Sequence, residues 1–170
     1  MPFTIRVLVM LLVGAVAVPA WAQSLMDPAA VLQALRGGGY VIVFRHGGTH
    51  GDQADTDPLN PDNVDKQRHL NDRGRAEARA VGEIFRRAGI PIGKSYSSRF
   101  QRAVETARLI GGKEPQPTLD VTEGGLVIID AFGKDWFEIK EGEASIFKPE
   151  GGGKYSLVSR VPIERWAAAR

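Results

Sequence analysis

Tyr40-Val41-Ile42-Val43-Phe44-Arg45-His46-Gly47-Gly48-Thr49 joins two opposite kinds of sequence within ten residues. Five apolar, β-prone residues in a row read as a strand covered on both faces, as in the middle of a parallel sheet. The run then stops at a guanidinium, an imidazole and two glycines. In open α/β sheets the ligand crevice lies outside the carboxyl ends of the strands, so Arg45 and His46 are expected at its floor. The glycines after them let the backbone turn sharply and approach a ligand closely.

Upstream, residues 1–22 read as a secretory signal peptide. Arg6 supplies the positive region, Val7 to Val18 the apolar core, and Ala20-Trp21-Ala22 an A-x-A cleavage site. The apolar core is short for a membrane span. The expected product is therefore secreted or periplasmic, free of the membrane after cleavage, with one domain over residues 23–170. Without Arg6 that domain carries 21 basic and 20 acidic residues. So even a balance, without aromatic and basic residues interleaved, gives no footprint for nucleic acid. Cysteine is absent, which excludes disulfides and thiolate chemistry.

Downstream, turn and cap residues divide the chain. Asp27-Pro28 opens a helix that Gly37-Gly38-Gly39 closes. Gly47 to Lys66 is polar and aperiodic, a long loop beside the strand end. Asn71 to Ala88 is a helix with Leu70, Ala78, Val81, Ile84, Phe85 and Ala88 on one face. Lys94 to Ser98 reads as a strand and Gln101 to Ile110 as a helix. Leu126 to Ile129 and Ala144 to Phe147 read as short apolar strands. Glu150 to Lys154 has the chemistry of a hairpin loop leading into Tyr155 to Val161, and Pro162 starts a terminal helix. The alternation of strand and helix predicts an α/β domain: a three-layer sandwich with a mainly parallel central sheet and a C-terminal antiparallel hairpin at its edge.

Ser97-Ser98-Arg99-Phe100-Gln101-Arg102-Ala103-Val104-Glu105-Thr106-Ala107 repeats the first pattern: a strand end, small residues, then an arginine entering a helix. A helix N-terminus there adds oriented N–H donors and a positive dipole end. Arg102 paired with Arg45 and His46 points to an anion, phosphate above all.

With both segments in view, the sequence resembles the histidine phosphatase superfamily, of the phosphoglycerate-mutase-like fold. Arg45-His46-Gly47-Gly48-Thr49 matches its R-H-G-x-T, and Ser97 to Ala107 its S-S-x-x-x-R-A-x-E-T-A. Leu70 with Gly74-Arg75-Ala76-Glu77-Ala78 is similar to its L-x-x-x-G-x-x-x-A segment. The resemblance implies that His46 attacks a phosphoryl group and becomes phosphohistidine, which water then hydrolyses. Arg45 and Arg102 would hold the phosphoryl oxygens, with Thr49 and Ser98 as further substrate-binding residues. A carboxylic acid must protonate the leaving oxygen. Glu123 is the candidate, with Asp52 or Asp55 behind it.

One part of the family pattern is missing. Its pocket holds a second histidine after a late strand, whereas this chain has only His46, His50 and His69. Gly124 to Asp130 runs directly into Ala131 to Trp136, which suggests an internal deletion near residues 127–129. In that case Asp130 would follow the strand where a histidine belongs. Recruitment of His50 or His69 is the alternative, and His50 with Asp52 and Asp55 makes a crowded loop rather than a metal site. The sequence thus points to an exported phosphatase of phosphomonoesters with an incomplete pocket. It would act on a small phosphorylated substrate or free phosphate, with no cofactor and no metal. The competing reading is an inactive anion-binding relative or a truncated gene product, and a mutase ranks third.

Overall fold

The computed structural model describes residues 26–121 and 139–168. Helix α1 (Pro28–Leu35) starts where Asp27 Oδ1 accepts the Ala29 and Ala30 amides at 2.9 and 3.1 Å. This satisfies donors that have no partner inside the helix. Val31, Leu32 and Leu35 are its buried face. Gly38 and Gly39, at φ +67° and +77°, then turn the chain toward strand β1 (Val41–Phe44).

Helix α2 (Asp72–Arg87) is capped by the Asn71 side chain, which accepts the Gly74 amide at 2.7 Å. It buries Ala78, Val81, Ile84 and Phe85, as its periodicity requires. Strand β2 (Tyr96–Ser97), helix α3 (Gln101–Gly111) and strand β3 (Gln116–Pro117) form one short parallel β–α–β unit. Strands β4 (Ala144–Gly151) and β5 (Lys154–Val161) form the expected hairpin, and helix α4 (Ile163–Ala168) follows. The hairpin turns at Gly151, Gly152 and Gly153, all at positive φ, where a side chain would be strained.

The sheet is not the one anticipated. Among the described residues there is no mainly parallel central sheet and no three-layer sandwich built on one. The main sheet has three antiparallel strands in the order β1-β4-β5, and β2-β3 is a separate parallel pair. The hairpin is not an edge addition, since β4 is the central strand. Its register sets Val41 opposite Phe147, Ile42 opposite Ile146 and Phe44 opposite Ala144. The physical reason lies in relative length and apolarity. Ala144 to Phe147 offers β1 four buried partners, whereas β2 is two residues long and comes after Pro91 and the polar pair Lys94-Ser95. β1 also differs from expectation in burial: Val41 is 42% exposed and Ile42 to Phe44 are half-buried. The strand read as Leu126 to Ile129 lies outside the described residues.

One apolar core joins α1, α2 and α4 to β1, β4 and β5. Phe85 and Trp166 meet edge to face, 5.1 Å between ring centroids, with Phe44 6.5 Å from Trp166. Full burial of Phe85 contributes roughly 1.5–3 kcal/mol over its exposed state. Because Phe44 is the last residue of β1, this aromatic group lies directly beneath the segment that carries Arg45 and His46.

Candidate active site

Arg45 and His46 leave β1 on a backbone held from two sides. The Arg45 amide donates to the Glu143 carbonyl at 3.0 Å, and the Gly142 amide donates to the His46 carbonyl at 2.7 Å. On the other side the Gly47 amide donates to Thr106 Oγ1 at 3.0 Å, and that hydroxyl donates to the Arg102 carbonyl at 2.7 Å. The turn is tight against α2. A Cβ on Gly74 would fall 2.2 Å from the Gly48 carbonyl oxygen, so only glycine allows this approach.

The His46 side chain is 15% exposed. Its Nδ1 lies 2.9 Å from the Gly47 carbonyl, which requires Nδ1 to carry the proton and leaves Nε2 with a lone pair. Burial lowers the imidazole pKa below its ordinary 6.5, and the positive charges of Arg102 and Arg45 add to that. The Gly47 bond and Glu141 pull the other way without reversing it. The ring is therefore neutral at pH 7.

Arg102 leaves the first turn of α3 with its guanidinium 4.6 Å over the Phe100 ring. Its Nη1 donates to Asp55 Oδ1 at 2.8 Å, and its Nε is buried without a protein partner among the described residues. Arg45 Nη1 donates to the Ile139 carbonyl at 2.5 Å. Three of the residues singled out from sequence, Arg45, His46 and Arg102, thus come together from two strand ends.

The others are placed differently. Thr49 has both donors occupied: Oγ1 to Glu141 Oε1 at 2.8 Å and its amide to Oε2 at 3.2 Å. Ser98 Oγ accepts the Phe100 amide at 3.4 Å, at the entry to α3. Asp55, a reserve proton donor in the sequence reading, instead holds Arg102. Burial works to raise its pKa, but the Arg68 amide and the Arg102 guanidinium outweigh that and keep it ionised. Asp52 is well exposed, 4.0 Å from His50 Nδ1. Glu123 and Asp130 lie outside the described residues. The Gln101 amide, an expected anion donor, goes to Gln67 Oε1 at 2.7 Å.

The long loop after Thr49 is ordered by such contacts. Asp55 on Arg102, Asp62 on Arg99 and Gln67 on Gln101 fasten it to the start of α3.

Sequence reasoning missed Glu141. Its Oε1 lies 4.0 Å from His46 Nδ1 and 3.9 Å from Arg68 Nη2. Burial acts to raise its pKa, yet the two Thr49 hydrogen bonds, with His46 and Arg45 nearby, hold it below the ordinary carboxylate value. The only hint in the sequence was the turn Lys140-Glu141-Gly142, with Gly142 at φ +78°. Nothing local ties that turn to Thr49, 92 residues earlier.

Comparison with known proteins bears on residues 41–124, which match the histidine phosphatase superfamily (branch 1). No curated protein matches. Among solved structures, one similar chain is the protein histidine phosphatase SixA complexed with tungstate. It is 14% identical with a TM-score of 0.53, covering 73% of this chain and 97% of that one. Another is a phosphohistidine phosphatase SixA from Agrobacterium tumefaciens, 12% identical with a TM-score of 0.48, covering 72% and 97%. At 14% identity the likeness to the first of these concerns the fold alone. The likeness to the histidine phosphatase superfamily (branch 1) is thus carried by residues 41–124, which hold both arginine motifs and the helix between them.

Proposed function

We propose that the protein is an exported phosphatase that works through a phosphohistidine on His46. The observation that carries the reading is the His46 ring: Nδ1 is committed to the Gly47 carbonyl, and Nε2 is left as a neutral nucleophile with Arg45 and Arg102 beside it. In the first step the Nε2 lone pair attacks phosphorus, and the bond to the leaving group breaks with its electron pair. Charge spreads over the equatorial oxygens, where two guanidinium groups oppose it. In the second step water attacks the phosphohistidine, releasing phosphate and the neutral ring.

The leaving group narrows the substrate. Glu141 and Asp55 are both held ionised and are poor proton donors at neutral pH. Such a site favours leaving groups that depart without strong acid assistance, such as the imidazole of a phosphohistidine, over alkoxides. The name of the SixA neighbour agrees with that class. Export rests on the signal-peptide pattern of residues 1–22. Turnover is slow in this reading, because no late-strand histidine exists in the sequence to complete the pocket.

A second reading is favoured by one contact. Asp55 occupies Arg102 as an anion would, which suits a catalytically silent relative that only binds phosphate. Incubating the purified protein with phosphoramidate and following released phosphate and acid-labile protein-bound phosphate separates the two. The phosphatase reading expects both signals, and expects both to vanish in His46→Ala. Phosphate release that survives in His46→Ala would overturn it.

A further inference from the structure

We propose that Glu141 is a positioning residue for His46: its carboxylate is the counter-charge that keeps Nδ1 protonated while Nε2 carries the phosphoryl group. The inference rests on the phosphatase reading and goes beyond it by assigning the residue that governs the second step.

The geometry ties Glu141 to the histidine at both ends. Its turn is fixed to the nucleophile's own backbone: the Gly142 amide donates to the His46 carbonyl at 2.7 Å, and the Glu143 carbonyl accepts the Arg45 amide at 3.0 Å. Its carboxylate is held by Thr49 of the same loop as His46, which donates to Oε1 at 2.8 Å and to Oε2 at 3.2 Å. So held, Oε1 stands 4.0 Å from His46 Nδ1. That is too long for a hydrogen bond. Nδ1–H keeps donating to the Gly47 carbonyl at 2.9 Å, and Glu141 acts on the ring through its field.

The chemistry calls for such a charge. Once the Nε2–P bond forms and the leaving group departs with its electron pair, the ring still carries Nδ1–H and becomes positive. Arg45 and Arg102 favour the phosphoryl oxygens but oppose a cation on the ring. Among the described residues, the charged groups that act on His46 are these two and Glu141, and only Glu141 is negative. Arg68 faces the same carboxylate oxygen, Nη2 3.9 Å from Oε1, and offsets part of its charge. Asp55 is bound to Arg102, which it shields in part. A phosphorylated ring that lost its Nδ1 proton would have to depart as imidazolate, a poor leaving group. With the proton kept, water attacks phosphorus and the N–P bond breaks with its electron pair returning to Nε2. Neutral imidazole and dihydrogen phosphate result.

Two measurements test this on the whole protein. The first follows the His46 ring by NMR across pH, with His46→Gln identifying its signal, and needs no catalysis. Glu141→Gln should lower the midpoint by about half a pH unit or more, roughly threefold in the equilibrium, and Glu141→Asp should restore it. Arg68→Gln, which leaves Glu141 and its Thr49 bonds in place, should raise the midpoint. The second follows decay of the phosphoenzyme made with phosphoramidate. In Glu141→Gln the decay should slow about threefold or more at neutral pH, its alkaline limb moved down because Nδ1 gives up its proton sooner. A role confined to holding Thr49 would change the urea midpoint and leave both pH profiles in place, which would overturn the proposal. So would a midpoint that Arg68→Gln leaves unmoved, the deciding result if Glu141→Gln does not fold. Midpoints that shift as expected in a protein that forms no phosphoenzyme would sink only the phosphatase reading.

Discussion

Thr106 Oγ1 accepts the Gly47 amide at 3.0 Å and donates to the Arg102 carbonyl at 2.7 Å, so one hydroxyl fastens both halves of the candidate site. Thr106→Val keeps the shape and removes the acceptor, leaving a buried N–H unpaired. That costs about 1–3 kcal/mol. Urea unfolding should show the loss, and phosphoenzyme formation should fall with it, while Thr106→Ser should restore both. A Val variant as stable as the parent would mean that the amide finds another partner.

The lowered pKa of His46 has two pH signatures. The nucleophile stays unprotonated as pH falls through 6.5, so the rate of phosphoenzyme formation should hold there and decline only at lower pH. The same shift acts on stability. Between the folded-state value and 6.5 the unfolded chain binds more protons at this residue. The contribution is therefore complete above 6.5 and is lost as pH falls through the folded value. His46→Gln should flatten that part of the stability curve. An acid limb centred at or above pH 6.5 in the rate profile would contradict the burial argument.

Asp55 and a phosphate compete for Arg102. In Asp55→Asn an oxygen remains for the Arg68 amide, which Oδ1 accepts at 3.0 Å, but the negative charge is gone. Vanadate should bind more tightly by on the order of 1 kcal/mol, about fivefold in Kd. Titration calorimetry reads this directly. Weaker binding in the variant would show that Asp55 orients Arg102 instead of competing for it.

Gly74→Ala should be among the most damaging single-atom additions to α2. The new methyl would meet the Gly48 carbonyl oxygen and amide nitrogen at 2.2 and 2.6 Å, and both are backbone atoms that no rotamer change can move aside. The cost is about 1–3 kcal/mol or more, because α2 or the glycine turn has to shift. The urea midpoint should fall, and anion affinity should fall more than it does in Ala80→Gly, a change on the exposed side of the same helix.

The local signals were legible where they carried their own periodicity or cap. Asp27-Pro28, Asn71 and the three-glycine hairpin turn are short-range chemistry, and all lie where they were read. The positions of Arg45 and His46 just past β1 and of Arg102 in the first turn of α3 were legible in the same way. Strand direction was not legible. The run from Val41 to Phe44 is equally compatible with parallel or antiparallel neighbours, and its choice of β4 depends on residues near 145. Glu141 escaped for the same reason: its partners Thr49, His46 and Arg68 meet it only after the chain has folded back. The fate of Asp55 was hidden too, since a loop carboxylate reads alike whether it faces water, a proton or an arginine.

Arg45 and the Ile139 carbonyl that receives it stand 94 residues apart, and β4, the sheet partner of β1 among the described residues, comes from the same distant region. A ribosome adding about 5–20 residues per second needs on the order of 5–20 s to cover that interval. Within that interval α2 and α3 are synthesised while the histidine loop still lacks its anchor at Gly142 and Glu143. The nascent chain therefore makes its nucleophile early and its active geometry late. Pairings this distant in sequence are also the slow ones to form once the chain is released. In a refolding time course, recovery of anion binding should lag the return of helical signal.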